Sequence, residues 1–244
     1  MIDRPPSQRF SAHADAYDAN RPQYPPEAID ALLSGLGEPA ALTIADVGAG
    51  TGIAAQLLAE RGATVIALEP NAEMRANARS HPRIAWKSGT AEATGLNDRS
   101  VDVAAAFQAF HWFDARAAVA EFKRISRKRI GLLQYERDER KPFAAAYGDL
   151  VRGFALEPVE ARRAQALEDF ARLAGANCVR AEFPFTQTLD RERMLGRMAS
   201  TSYLPRSGEE ADEMRSRATA LFDRFADNGR VSIAMVCYVL YADA

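Results

Sequence analysis

Runs of apolar residues and stretches of helical spacing alternate along the first 136 residues. LTIADV (42–47) is apolar and β-branched and stops at Gly48, TVIALE (64–69) is closed by Pro70, and RIAWKSG (83–89) is a short third strand pattern. VDVAAAF (101–107) and IGLLQYE (130–136) are the fourth and fifth. VDVAAAF is apolar throughout, as a strand covered on both faces of a parallel sheet is. Between these runs, IAAQLLAERG (53–62) has helical spacing and ends at a glycine. NAEMRANARS (71–80) predicts a helix capped by Asn71, and DARAAVAEFKRIS (114–126) one capped by Asp114. This βαβαβ order predicts an α/β fold with a doubly wound, mostly parallel sheet.

The C-terminal part is less regular. A helical pattern covers 159–174, ANCVRAEFPFTQTL (176–189) reads as a strand, a second helical pattern covers 208–226, and RVSIAMVCYVLYAD (230–243) reads as a final strand. Two closing strands joined by one helix, and pairing with the fifth strand, bring the sheet to seven. Residues 137–165 and 190–228 are then insertions over its edge.

Composition narrows the function classes. The chain has 244 residues, 48% of them hydrophobic, and a formal net charge of -2, so nothing pulls it globally toward nucleic acid or anionic lipid. Cys178 and Cys237 are too few and too far apart for a disulfide framework or a metal knuckle, and read as reduced core thiols. The three histidines, His13, His81 and His111, are scattered, which argues against a metal. His13 and His81 read as exposed. The N-terminus has no apolar signal region, and the longest apolar run, 231–242, is too short to span a bilayer as a helix. A cytoplasmic protein without membrane or metal is the default expectation.

The chemistry concentrates at 46-DVGAGTG-52. Gly48, Gly50 and Gly52 follow the first strand, where ligands bind in open α/β sheets, and glycines there let a ligand approach the backbone closely. The spacing G-x-G-x-G differs from the dinucleotide fingerprint G-x-G-x-x-G. Asp46 at the mouth of the loop repels a pyrophosphate and favours a ligand with an ammonium group. Glu69, at the end of the second strand, can accept hydrogen bonds from a ribose diol, and no arginine follows it to hold a 2′-phosphate. S-adenosylmethionine has the ammonium, the diol and no phosphate.

The chain resembles the class I S-adenosylmethionine-dependent methyltransferases. The glycine motif matches 46-DVGAGTG-52, the acidic residue after the second strand matches Glu69, and 89-GTAEATGL-96 resembles the adenine-side motif with Thr90 in place of its aspartate. The segments 108-QAFHWFD-114 and 17-YDANRPQYP-25 resemble the small-molecule branch that holds trans-aconitate methyltransferase-like enzymes. The likeness spans residues 10–135 and departs at 123-KRISRKRI-130, where the family often has a proline–glycine–glycine turn. That basic run reads as a solvated helix end or as a contact for RNA or another acidic partner.

The resemblance implies a Rossmann-like methyltransferase domain over 1–244. It divides into a cap or lid at 1–40, a cofactor-binding core at 41–136, and substrate-side insertions with the final strand pair at 137–244. It implies S-adenosylmethionine as cofactor and S-adenosylhomocysteine as product. The implied cofactor contacts are Tyr17, Arg21, Asp46, Gly48, Ala49, Gly50, Glu69, Pro70, Met74, Thr90, Ala91, Glu92 and Gln108. Arg21 could bind a carboxylate of cofactor or substrate, or dock the lid onto Glu92. Tyr24, His111, Trp112 and Tyr203 are the substrate-side candidates. His111 is the one candidate catalytic residue; it can be a general base, a cofactor or pocket wall, or packing. Gln108 can line the methionine side or the substrate pocket. Met194, Met198, Tyr203 and Phe185 can form an apolar wall, or can pack helices on the sheet. The implied partner is a small-molecule acceptor, possibly a carboxylate giving a methyl ester; nucleic acid and membrane are not expected, and a monomer or homodimer is. RNA or protein methylation, non-catalytic binding of either adenosyl compound and an NAD enzyme remain the alternatives.

Overall fold

The computed structural model describes Pro22, residues 24–78 and residues 80–244. Tyr17 and Arg21, together with His13, lie outside the described residues, so the lid reading rests there on sequence alone.

Seven strands form one sheet: β1 (Thr43–Val47), β2 (Thr64–Leu68), β3 (Ile84–Lys87), β4 (Val101–Phe107), β5 (Ser126–Arg137), β6 (Val179–Leu189) and β7 (Val231–Asp243). Their order is β3-β2-β1-β4-β5-β7-β6. β1 to β5 run parallel, and β7 is antiparallel to both β5 and β6. The chain starts in the middle at β1, winds out to β3, and crosses back to β4. The switch point therefore lies between β1 and β4, and a ligand crevice is expected at their carboxyl ends. Every residue of β4 is buried, which is why that segment carries no alternation.

The helices are α1 (Pro26–Leu33), α2 (Ile53–Glu60), α3 (Ala72–Ala76), α4 (Ala115–Ile125), α5 (Pro142–Phe154), α6 (Val159–Ala174), α7 (Arg191–Ala199) and α8 (Glu209–Phe225). One apolar cluster joins α1, α2, α5 and α8 to a face of the sheet, and a second joins α4 and α6 to the other. The caps follow side-chain chemistry. Asn71 accepts from the N–H of Glu73 (2.8 Å) and Met74 (3.2 Å), and Asp114 accepts from Ala117 N–H (2.9 Å). Asp190 caps α7 by accepting from Arg193 N–H (2.8 Å).

Three expectations are corrected. The helix expected over 71–80 closes after Ala76. Two helices, α7 and α8, rather than one, separate β6 from β7, and α1 and α5 are helices where only a cap and an insertion were read. The basic run is not a solvated helix end throughout: α4 stops at Ile125 and β5 starts at Ser126 with no residue between. β5 carries one extra residue opposite Asp102, a β-bulge that brings both Arg127 (3.1 Å) and Lys128 (3.5 Å) onto that carboxylate. Arg129, nearly buried, donates to Asp243 and to the carbonyls of Leu32 and Ser34 at the end of α1, and stacks over Tyr241. Arg124 holds Glu121 and Asp98, and Lys123 donates to Leu173 O. Of the basic residues in the run only Arg129 is buried; Lys123, Arg124, Arg127 and Lys128 are paired yet remain exposed at the surface.

Candidate active site

The glycine loop leaves β1 and is drawn onto β2: the N–H groups of Gly48 and Ala49 both donate to Leu68 O (2.8 and 3.0 Å). Gly48 and Gly50 have φ of +75° and +59°, conformations that side-chain-bearing residues rarely adopt. A Cβ on Gly48 would overlap Ala109 and Phe113, whereas one on Gly50 meets only the Met74 methyl at 3.4 Å. The first glycine therefore serves packing, and the second keeps the loop's open face bare.

Glu69 follows β2 and stitches that face together. Its Oε2 accepts from Gly50 N–H (3.0 Å) and its Oε1 from Asn71 N–H (2.9 Å). Burial pushes its pKa up, against the pull of those two N–H groups and of Arg75. Each oxygen keeps a free lone pair for a diol.

Asp46 is placed differently from its expected position. It is fully buried in β1, beneath the loop rather than at its mouth, and is absent from the cavity wall. Neither carboxylate oxygen has a hydrogen-bond partner among the described residues. Burial pushes its pKa up to about 7; the Ala55 N–H works the other way without reaching hydrogen-bond geometry, and Glu69 adds repulsion. Asp46 and Glu69 together make the ground under the loop negative, which opposes phosphate and favours a cation.

A cavity of about 310 Å³ opens at the switch point, within the range of small-molecule sites. Of the expected cofactor contacts, Gly48, Ala49, Gly50, Glu69, Pro70, Met74, Thr90, Ala91, Glu92 and Gln108 line it, as do Tyr24 and Trp112 from the substrate-side set. Sequence reasoning missed Phe107, Phe113 and Tyr135, apolar strand and turn residues with no chemical signal of their own. Tyr24 stands edge-on to Phe107 (5.7 Å between centroids) and 5.4 Å from Tyr135. Thr90 Oγ1 accepts from Ala93 N–H (3.2 Å), so the residue standing in for aspartate shapes its own turn.

Gln108, at φ +60°, is strained at the end of β4. Its amide exchanges two hydrogen bonds with the Tyr135 backbone, Nε2 to O at 3.0 Å and N–H to Oε1 at 2.9 Å. The side chain thus extends the β4–β5 ladder past its end and fixes Tyr135 at the cavity wall.

Two candidates lie elsewhere. His111 sits in a short turn, Phe110–Trp112, with its ring 4.8 Å from Trp112, and is absent from the cavity wall. Tyr203, nearly buried, lines a separate small cavity. Met194 and Met198 are buried core, and Phe185 packs on Tyr135 (6.1 Å), so helix-to-sheet packing takes the place of an apolar wall. Cys237 is a buried thiol pushed up to about 12, while Cys178 is only half-buried.

The adenine-side loop has a tether that the motif did not reveal. Glu121 on α4 accepts from Thr94 N–H (3.0 Å) and Thr94 Oγ1 (2.5 Å) and pairs with Arg124 (2.7 Å), which holds its carboxyl down at about 2.

A methyltransferase-domain family model matches residues 45–130. An uncharacterized methyltransferase of Mycobacterium tuberculosis is 36% identical over 200 residues, 81% of this chain and 78% of the relative. The solved structure of a putative type II methyltransferase from Anaeromyxobacter dehalogenans shares the fold with a TM-score of 0.66 at 25% identity, over 91% of this chain and 97% of that one. A phosphoethanolamine N-methyltransferase of Haemonchus contortus, solved with S-adenosylhomocysteine, shares it at a TM-score of 0.52 and 15% identity, over 94% and 57%. The chain belongs to the class I S-adenosylmethionine-dependent methyltransferases, an enzyme family whose cofactor is S-adenosylmethionine and whose product is S-adenosylhomocysteine. The residues present fit that cofactor: a bare glycine cradle, a diol acceptor at Glu69 and an unmatched buried carboxylate below a cation. No helix among the described residues is long and apolar enough to cross a membrane.

Proposed function

We propose that the chain methylates a small-molecule acceptor, and that the acceptor is a carboxylate leaving as its methyl ester. The observation that carries this reading is the cavity itself. It is concave, of small-molecule size, and walled on its acceptor side by Tyr24, Phe107, Trp112 and Tyr135. Within it, Gly48, Ala49 and Gly50 cradle the cofactor, Glu69 takes the ribose diol, and Pro70, Met74, Thr90, Ala91 and Glu92 border the adenine. Asp46 acts from beneath through its field.

When bound, S-adenosylmethionine supplies a methyl carbon on a sulfonium that departs as a neutral thioether. The residues then have to align the acceptor oxygen with that carbon and keep water out. The aromatic wall does both, and the paired Gln108 amide holds the backbone that carries Tyr135. An ionised carboxylate needs no general base at neutral pH. That agrees with His111 lying off the wall, and with Glu69 and Glu92 each already accepting backbone N–H groups, the latter from Asp114 (3.0 Å).

The test is transfer of labelled methyl from S-adenosylmethionine to a panel of small carboxylic acids, followed by mild alkali. Label released as methanol is the expected result. Label in an alkali-stable product means N-, C- or ether O-methylation and overturns the ester reading.

A further inference from the structure

The turn 90–93 borders the cofactor cavity and is gripped from α4. Thr90 and Ala93 exchange both of their backbone hydrogen bonds (3.2 and 3.3 Å), and Thr90 Oγ1 also accepts from Ala93 N–H (3.2 Å). The donors left over are the N–H groups of the two central residues, Ala91 and Glu92, which have no partner among the described residues and border the cavity. Thr94 stands at the neck of the turn, its carbonyl oxygen so close to Gly89 that a Cβ there would come within 2.8 Å. Whatever fixes Thr94 therefore fixes the turn.

Asp114, Glu121 and Arg124 hold the segment from the helix. At the helix start, Asp114 N–H donates to Glu92 Oε1 (3.0 Å). Further along, Glu121 Oε1 accepts from both the N–H (3.0 Å) and the hydroxyl (2.5 Å) of Thr94, and that hydroxyl accepts in turn from Leu96 N–H (3.2 Å). Arg124 clasps both oxygens of Glu121 (2.7 Å each) and donates to Leu96 O (2.7 Å) and to Asp98. Glu121 is only 9% exposed, and neither it nor Arg124 lines the cavity.

A carboxylate buried this far is costly unless its oxygens are matched, and Thr94 and Arg124 are what match it. Such a network holds the turn to the narrow range of directions over which a hydrogen bond keeps its strength. Direction matters because Thr90 brings no charge to the turn and its oxygen is already engaged, so backbone N–H is what the turn offers a base. An N–H donor matches the lone pair on the ring nitrogen beside the amino group of adenine. In hypoxanthine that nitrogen carries a hydrogen, and two donors face each other.

We propose that Glu121, clasped by Arg124, is a positioning residue that sets the preference for adenine: it aims the Ala91 and Glu92 N–H groups at the edge of the base without touching the cofactor. This inference rests on the placement of the cofactor given above.

The experiment titrates the chain by calorimetry with S-adenosylhomocysteine and with its deaminated analogue, S-inosylhomocysteine, and records a melting curve for each variant. The wild type is expected to bind the adenosyl compound more tightly by about tenfold or more. Glu121→Ala narrows that ratio about fivefold to tenfold, as for loss of one well-aligned hydrogen bond. Glu121→Gln keeps an acceptor for Thr94 and holds the ratio within about twofold of the wild type. Should Glu121→Ala not fold, Thr94→Val, which removes only the hydroxyl, decides with a narrowing of about threefold. A purely structural role lowers the melting temperature and weakens both compounds by one factor. An unchanged ratio in the deciding variant therefore overturns the proposal, as does a wild type that binds the two compounds equally. Failure of the wild type to bind S-adenosylhomocysteine overturns the placement of the cofactor instead.

Discussion

The two cavities on either side of Tyr135 differ in their lining and in their origin along the chain. The larger rests on buried carboxylates, Asp46 and Glu69, and most of its wall comes from short contiguous segments, 48–54, 69–74 and 89–92. The smaller is ringed by arginines drawn from β5, α6 and α7, residues 60 positions apart (Arg137 to Arg197). The first presents negative ground, which favours a cation; in the second, Glu139 and Glu160 pair with Arg137 and Glu136 stands by Arg163, so its charges are largely matched within the fold.

The sharpest way to break the contrast is to fill the glycine cradle. Gly50→Val puts a β-branched residue at φ +59° and a side chain over the loop's open face. S-adenosylhomocysteine affinity should fall about a hundredfold or more, while the chain remains folded, because backbone strain at one αL position costs only about 1–2 kcal/mol. Calorimetry with a melting curve checks both halves. Glu69→Ala removes the proposed diol acceptor and should weaken the same ligand about tenfold to a hundredfold, as for a hydrogen bond to a charged group.

Asp46→Asn should act in opposite directions on stability and binding. An acid whose pKa rises from 3.8 unfolded to about 7 folded costs nothing when both states are protonated. Its penalty grows as pH rises through that window and is complete above 7. The amide therefore stabilises the ligand-free chain by about 4 kcal/mol at pH 8 and by almost nothing at pH 4, and it weakens cofactor binding. Denaturant melts at the two pH values check the sign. A wild type that gains stability from pH 4 to pH 7 through this residue would remove Asp46 from the negative ground. The smallest effect belongs to His111→Ala. With the ring off the wall, initial rates should change less than about threefold and the pH–rate profile should keep its shape. A large loss with intact cofactor affinity, recovered at high pH, restores the base.

Legibility follows the same divide. The strands β1 to β5 were readable because each is a run of apolar residues closed by a turn signal, and the glycine loop because its chemistry lies in seven consecutive residues. Asp46 was read at the loop's mouth because sequence places it two residues before Gly48. Strand alternation, which sequence cannot orient in a doubly buried sheet, turns it inward instead. The three helices at 26–33, 142–154 and 191–199 were missed where small residues or an abundance of arginine blur the apolar face. Tyr135 read only as a strand residue, and Arg137, Arg163 and Arg197 as ordinary charges, since nothing local says that folding will bring them together.

The junction at Ile125 and Ser126 has a consequence for changes in chain length. Helix and strand meet there without a connecting residue, and the bulge that follows sets both Arg127 and Lys128 on Asp102. With no loop there to take up slack, an added residue has to be absorbed as a new connecting residue or a second bulge, since a slip of the register by one would exchange the faces of the strand all the way to Tyr135 and Arg137. The existing bulge is that device at work: it takes up one extra residue beside Asp102 and leaves the pairing from Arg129 onward in step.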